Sequence, residues 1–534
     1  MLKYFIQKGP SFSNPYENDP LMDAFLRRYL LGEQLVELKE FGQKIVDEVE
    51  SKGMEAESCP PQHQPFDPWG SRIDQIKVSE AWEWLHQFSA KEGLVALGYE
   101  RPLGKLSRLL QFAKLYLFHP SSAFYTCPLA MTDGAAKLIE VYGKDALTTE
   151  VFQHLTSRNG KEFWTSGQWM TEAIGGSDVG LSETTAVPQE DGSFLLYGKK
   201  WFVSATTSQV AMGLARIERD GKVAEGSRGL SVFLIPVHKG DQKWNGLEIL
   251  RLKDKLGTKA LPTAEVLLDG TKAYLLGDEG KGVKIISTLF NITRLYNACT
   301  SVATMRRLLQ LSYSYAEKRK AFGRAIKDLA LHKRLLNKLE AETQGAFHLV
   351  FFTALQLGKS EVDKDLHAEK LLRLLTPLAK LYTGRQCVSV VSELVESFGG
   401  AGYIEDTGIP RFLRDAQVFS IWEGTTHVLC LDVLRAIVKE QAFEAFYQEV
   451  RERLSNVKTQ KERLFLEDIL EGLKEQLSQL SDPQDLEGEM RFVSARMVFV
   501  LVGALMLEFA EQEPSFQLPA QEWLRKTPST IYEH

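Results

Sequence analysis

From Val283 the chain runs for nearly forty residues, VKIISTLFNITRLYNACTSVATMRRLLQLSYSYAEKRK, without a glycine or a proline. Its apolar residues recur at helical spacing, and the run is far too long for a strand. A helix of that length has to be covered by neighbours of similar length, because packing rather than propensity stabilises it. The neighbours follow at once in KDLALHKRLLNKLEAETQGAFHLVFFTALQLGK (327–359) and KDLHAEKLLRLLTPLAKLYTGRQCVSVVSELVESF (364–398). A shorter helical run begins after Glu423. Three long helices and one short one predict a four-helix bundle over 279–438.

Upstream the texture differs. SFLLYGKKWFVSAT, QVAMGLARIER, GLSVFLIPV and AEVLLDGTKAYLLG are short, β-rich and divided by Gly and Asp turns. They predict an antiparallel β-barrel over 164–278. Residues 1–163 read as a helical domain with a proline-rich, loop-rich extension before residue 75. Residues 439–534 read as an additional helical domain, with 11 Lys and Arg against 18 Asp and Glu. The expected fold class is therefore α+β, in the order helices, barrel, bundle, helical tail.

Several functions find no support. No GxGxxG follows a strand and no GxxxxGK[ST] occurs, which leaves Rossmann and P-loop nucleotide sites without a basis. HExxH and GxSxG are absent too. The five cysteines are scattered with no CxxC pair, which predicts thiols in a reducing compartment and no metal site. A formal charge of -6 and an acidic tail argue against a nucleic-acid partner. The apolar run MVFVLVGALML (497–507) is too short to span a bilayer and predicts a buried helix, so no membrane partner is expected.

Four short segments carry potential chemistry, and each has a plain structural reading when taken alone. WMTEAIGGSDVG (169–180) is a Gly-rich turn that can bring backbone N–H groups to a ring or phosphate. KKWFVS (199–204) puts Trp201 on a strand. EKRKAFGRAI (317–326) and ESFGGAGYIED (396–406) both read as helix C-caps. A fifth, SIWEGTTHVLCLDVLR (420–435), sets Glu423 beside Trp422 just before a helix, where an acid is also favoured by the helix dipole.

Together, in this order and at these gaps, the segments resemble the acyl-CoA dehydrogenases from about Cys127 to Arg435. RLKDKLGTKALPTAEV (251–266), the WEGTTHVLCLDVLR ending, the long N-terminal segment and the tail are similar to the AidB-like subgroup over nearly the whole chain. The resemblance implies FAD. Met170, Thr171 and Ser177 would lie along the isoalloxazine, with Ser177 also near the acyl-CoA. Trp201 would pack on the flavin. Val203 stands where many members have a Thr that bonds flavin N5, so that contact passes to Ser204 or the backbone. Arg319, Phe322, Gly399 and Gly400 would bind the ADP half of a neighbouring subunit's FAD. Thr425 and Thr426 would touch FAD phosphates, with His427 where Gln or Asn is usual. Arg294 matches an Arg near the substrate, and Gly424 would let the substrate approach the backbone. Trp169 replaces a small residue expected before Met170.

For Glu423 the resemblance and the chemistry meet. Removing a proton α to a thioester needs a base screened from water, and burial beside Trp422 would raise its pKa toward working pH. The implied activity is conversion of an acyl-CoA to a trans-2-enoyl-CoA, with an electron-transfer flavoprotein as one possible acceptor. A homo-oligomer, a dimer of dimers, and a cytoplasmic setting are expected. A second class of function keeps FAD and the fold but holds an acyl-CoA or a partner without turnover.

Overall fold

In the computed structural model of the chain, residues 7–240, 243–479 and 483–526 are described. They form two compact units. One comprises residues 48–100 and 121–296, the other residues up to 47, 101–120 and 297 onward. The boundary falls inside the long helix, which runs Gly282–Lys318 as its sequence predicts.

The first unit is built on an eight-stranded sheet. Its central strands are buried on both faces, so nearly every residue in them is apolar. Along Val210–Arg219 the period of two is plain. Val210, Met212 and Leu214 join the helices Thr126–Tyr142 and Ala146–Leu155 in one core, and Ala211, Ala215 and Ile217 face the other. The next strand, Leu230–Pro236, divides the same way, with Val232 and Leu234 on one side and Phe233 and Ile235 on the other. The sheet is mixed, which corrects the expected antiparallel barrel. Ser166–Trp169 and Thr185–Pro188 both pair parallel to Val210–Arg219. Strand runs and turns are visible in sequence, but pairing direction depends on which strands become neighbours. The proline-rich N-terminal stretch also holds a hairpin, Gln62–Phe66 with Arg72–Lys77, where only loop was expected.

The second unit is helical. Ala330–Gly358 packs on Leu366–Ser397, which also carries Thr426–Glu440, and the later part of the long helix reaches the first two through Arg306 on Glu340 and Ser312 on Ser397. A further helix, Pro410–Phe419, precedes Glu423 and was not read from the sequence. Two buried ionic groups tie the early residues to the bundle. Arg306 reaches Asp19 at 3.3 Å and Glu340 at 2.9 Å, while the Tyr116 hydroxyl donates to Asp19 at 2.7 Å. Arg108 forks onto Glu361 at 2.7 and 3.0 Å. Removing one partner of such a pair leaves a buried charge alone, at roughly 3–5 kcal/mol.

The tail is helical as expected. Pro483–Gln512 is long and apolar enough to cross a membrane by length and composition, but 83% of its most apolar window is buried inside the protein. Trp523 seats the last helix. Its indole is fully buried and lies where a side chain at Gly345 would be, and its Nε1 donates to the Phe499 carbonyl at 3.1 Å. All five cysteines are free thiols, and no group of His, Cys, Asp and Glu among the described residues is arranged to hold a metal.

Candidate functional site

In the sheet unit the site residues hang on one loop and one strand. Ser166–Trp169 delivers a buried Met170, and the Thr171 carbonyl accepts the Trp201 N–H at 2.9 Å. This bond sets the MTE segment against the strand Phe194–Ser204. Glu172, next in sequence, is buried. It accepts from Lys200 Nζ at 2.7 Å, Thr184 Oγ1 at 2.6 Å and the Glu183 N–H at 2.6 Å. Burial alone would push its pKa up; the Lys200 ammonium and the donors outweigh that and hold it below the ordinary carboxylate range. The loop then opens. Gly175 has φ +148°, a value for which glycine is suited, with open space where a side chain would be. Gly176, Ser177 and Asp178 are exposed.

Trp201 is half-buried and is not among the core residues that include Val203. Lys253 Nζ stands 3.4 Å from the centre of its ring and 2.8 Å from Glu265. Arg251 and Lys199 share that carboxylate at 2.6 and 3.2 Å. Burial opposes charge on Glu265, yet these three cations bring its pKa down to about 2. Val203 is buried in the barrel core, and Ser204 Oγ lies 3.2 Å from Thr263 Oγ1. Arg294, on the long helix, is half-buried with its guanidinium 6.0 Å from the Phe290 ring centre.

In the bundle unit Glu423 sits on a tight connection between Pro410–Phe419 and Thr426–Glu440. The Ile421 and Trp422 N–H groups both donate back to the Val418 carbonyl, at 2.9 and 3.1 Å. Glu423 itself has φ +57° and Gly424 φ +102°. A left-handed non-glycine residue costs roughly 1–2 kcal/mol and persists only where its surroundings dictate it. Those surroundings come from Leu366–Ser397. Lys380, 1% exposed, donates its ammonium to the Gly424 carbonyl. One turn on, Gly384 admits the Phe419 carbonyl to within 2.6 Å of where a Cβ would stand. Within its own chain Glu423 is half-buried, less enclosed than its neighbour Trp422 led us to expect. Thr425 begins the next helix without capping it through its side chain, Thr426 is half-buried and His427 is exposed.

The remaining residues gather at the far end of the same helix. Arg319 caps the long helix, as its sequence suggested, its N–H donating to the Tyr315 carbonyl at 2.9 Å. It opens a two-strand hairpin, Lys320–Ala321 with Arg324–Ala325, whose tip is Phe322 and Gly323 at φ +51° and +80°. Phe322 is 94% exposed. Gly399, at φ +60°, ends Leu366–Ser397 as expected, and neither it nor Gly400 has an atom within 4 Å of a built Cβ. The two helix ends lie side by side, with the Tyr315 and Phe398 rings 5.1 Å apart and Ser312 3.0 Å from Ser397. So the Arg319–Phe322 and Gly399–Gly400 segments are brought together, while about 26 Å of helix rise separates Ser397 from Lys380 beneath Glu423.

Sequence reasoning missed Lys380, the Glu172–Lys200 pair and Lys253. The available signal was a charge in an apolar context, such as Lys380 within LTPLAKLYTG.

Comparison with known proteins identifies the family. The chain matches the acyl-CoA dehydrogenase C-terminal domain at 280–438 and the middle domain at 167–271. It matches the adaptive response protein AidB N-terminal domain at 10–160. It is 45% identical over 529 residues to acyl-CoA dehydrogenase family member 11 of Caenorhabditis elegans, spanning 95% of this chain and 86% of the relative. It is 30% identical to the putative acyl-CoA dehydrogenase AidB of Escherichia coli, over 93% of this chain and 90% of that one. The crystal structure of Caenorhabditis elegans ACDH-11 in complex with C11-CoA superposes with a TM-score of 0.95 at 43% identity, over 98% of this chain and 92% of that one.

Proposed function

The chain belongs to the acyl-CoA dehydrogenase family, and on that premise we propose that it is an FAD-dependent enzyme converting an acyl-CoA to its trans-2-enoyl-CoA. The observation that supports this most is the Glu423 turn. Glu423 is held in a costly backbone conformation, with a buried lysine on the Gly424 carbonyl and a close-packed glycine beneath the turn. Strain kept in place this way is a mark of a functional position.

The residues fit the cofactor. Trp201 is half-buried beside Lys253, the 173–178 loop is open, and the Gly399–Gly400 segment leaves space that a side chain would fill. Met170, Thr171, Ser177, Trp201 and Ser204 would hold the ring, and Thr425, Thr426 and His427 the phosphates. FAD supplies a hydride acceptor for the substrate β-carbon. Glu423 takes the α-proton, a task worth about 10²–10⁴ in rate for a positioned base. The Glu423 N–H would donate to the thioester carbonyl, whose developing charge needs a fixed donor. Gly424, with no side chain, lets the acyl group reach that backbone. Arg294 and Ser177 would contact the acyl-CoA.

The Arg319, Phe322, Gly399 and Gly400 cluster would serve the FAD of a second copy, so the protein would work as a homo-oligomer, a homodimer or a dimer of dimers. An electron-transfer flavoprotein would then reoxidise it. The test is anaerobic titration of the flavin with acyl-CoAs of graded length. Bleaching by at least one of them is expected; a flavin-loaded protein bleached by none sinks the dehydrogenase reading.

One observation favours a second reading. Val203 is locked into the barrel core where many members place a hydroxyl for flavin N5, and a relative of high similarity was crystallised holding C11-CoA. A protein that retains an acyl-CoA of similar length without turnover would show tight binding and no bleaching.

A further inference from the structure

The strand residue Arg216 plays no part in the site as described so far, yet its guanidinium donates to four main-chain carbonyls. It is 6% exposed. Its Nε donates to the Ser182 carbonyl at 2.6 Å. One Nη donates to the Ala224 and Gly226 carbonyls at 2.6 and 2.8 Å, and the other donates to the Gly180 carbonyl. Among the described residues no carboxylate pairs with it. A buried cation satisfied only by main-chain carbonyls is a fastening for backbone, since five donors in a rigid fork can reach several chain segments at once.

The segments it reaches are two loops. One is the second half of the GGSDVG loop, where Asp178 Oδ1 also accepts the Gly180 N–H at 3.0 Å. The other is the turn at 224–229 ahead of the strand Leu230–Pro236. The start of the first loop is fixed separately, by Glu172 on Lys200, Thr184 and Glu183. The Arg216 N–H donates to the Thr184 carbonyl at 2.8 Å, joining the two fastenings. Only Ala173–Ser177 lies outside both. Ser182 also keeps a buried hydroxyl with no partner, consistent with a backbone position dictated by Arg216 and not by its own side chain.

We propose that Arg216 is a positioning residue that welds the 178–182 and 224–229 loops into one preorganised wall, so that ligand binding at Ser177 does not have to order them. The proposal rests on the proposed function for which ligand is bound, but the weld itself is a property of the unliganded protein. Two variants divide the roles. Arg216→Lys keeps the charge but cannot reach four carbonyls; Arg216→Met removes both. Arg219→Gln, on an exposed pair with Glu279 of 2.8 Å, is the control.

Hydrogen exchange of the full-length protein without added acyl-CoA should speed at least tenfold at amides in both loops in Arg216→Lys, and not in Arg219→Gln. In the flavin-loaded protein the KM for acyl-CoA should rise about tenfold or more with kcat changed less than threefold, because order lost before binding is restored at the cost of affinity. Unchanged exchange in either loop in a folded Arg216→Lys overturns the weld, whatever happens to KM. If exchange speeds but the wild type neither binds nor oxidises any acyl-CoA, the weld stands and the proposed function falls. Should Arg216→Met not fold, Arg216→Lys alone decides.

Discussion

The helix Leu366–Ser397 does opposite things at its middle and at its end. At Lys380 and Gly384 it is covered. The turn carrying Glu423 lies on it, its carbonyls are taken up, and Phe419 is fully buried. At Gly399–Gly400 it is bare. Tyr403 is 89% exposed, Phe322 on the adjoining hairpin 94% exposed, and side chains could be added at both glycines without touching anything. Both places hold a non-glycine residue at positive φ. In the middle the chain itself supplies what enforces that conformation. At the end the two-residue hairpin turn sets the backbone, and what is left uncovered is side chains. Exposed aromatic residues side by side are the pattern expected where a second molecule completes a site.

The largest effect should come from the covered region. Glu423→Gln is nearly isosteric and removes the base alone. Flavin reduction by acyl-CoA should fall by about 10²-fold or more while the fold and cofactor are kept. Stopped-flow bleaching measures it, and an undiminished rate would place the base elsewhere.

A second prediction concerns pH. His119 is fully buried, with its ring 5.8 Å from that of Phe419. Burial, helped by Arg411 and Arg307, pulls its pKa down to about 3. The folded value lies below the unfolded one, so the unfolded chain binds more protons in between. The histidine therefore adds no acid penalty above pH 6.5 and destabilises progressively from there down to about pH 3, by a few kcal/mol at the order of magnitude. His119→Phe should flatten the stability profile between pH 6.5 and 4 in urea titrations. An unaltered slope would mean that the ring is reached by water.

These predictions also show what was legible in the sequence. The long helices could be read because Val283–Lys320 contains nothing that breaks one, and the GGSD and WEGTT segments because their order is specific. Parallel pairing of Ser166–Trp169 was not legible, since alternation of side chains is the same in either direction. The end of the long helix at Arg319 was legible, but the Phe322 hairpin that follows it was not, because Gly after basic residues suits both. Lys380 and Arg216 were passed over because a cation inside an apolar run acquires meaning only from carbonyls distant in sequence.

Lys380→Met sharpens the comparison at smaller scale. It leaves the Gly424 carbonyl without its ammonium donor, which should cost about 1–3 kcal/mol in unfolding free energy. The left-handed Glu423 loses its restraint, so kcat should fall together with stability. A Lys380→Arg variant that recovers stability but not kcat would show that the turn needs this ammonium in this place. Loss of stability with full activity would reduce Lys380 to a packing residue.

The smallest effect should come from the bare end, and its sign is the informative part. Phe322 adopts φ +51° at a hairpin tip with no packing inside the chain to repay it. Glycine takes that conformation without the penalty, so Phe322→Gly should stabilise an isolated subunit, or leave it unchanged, within about 1 kcal/mol. If the phenylalanine is kept for a second copy and its cofactor, the same change should weaken FAD retention and shift the assembly toward smaller species. Dilution series by light scattering and by flavin fluorescence read both quantities. A variant that is less stable as a subunit would show that Phe322 packs within its own chain after all. One that is more stable with unaltered FAD affinity and assembly would remove the reason for pairing the two ends of this helix with two different molecules.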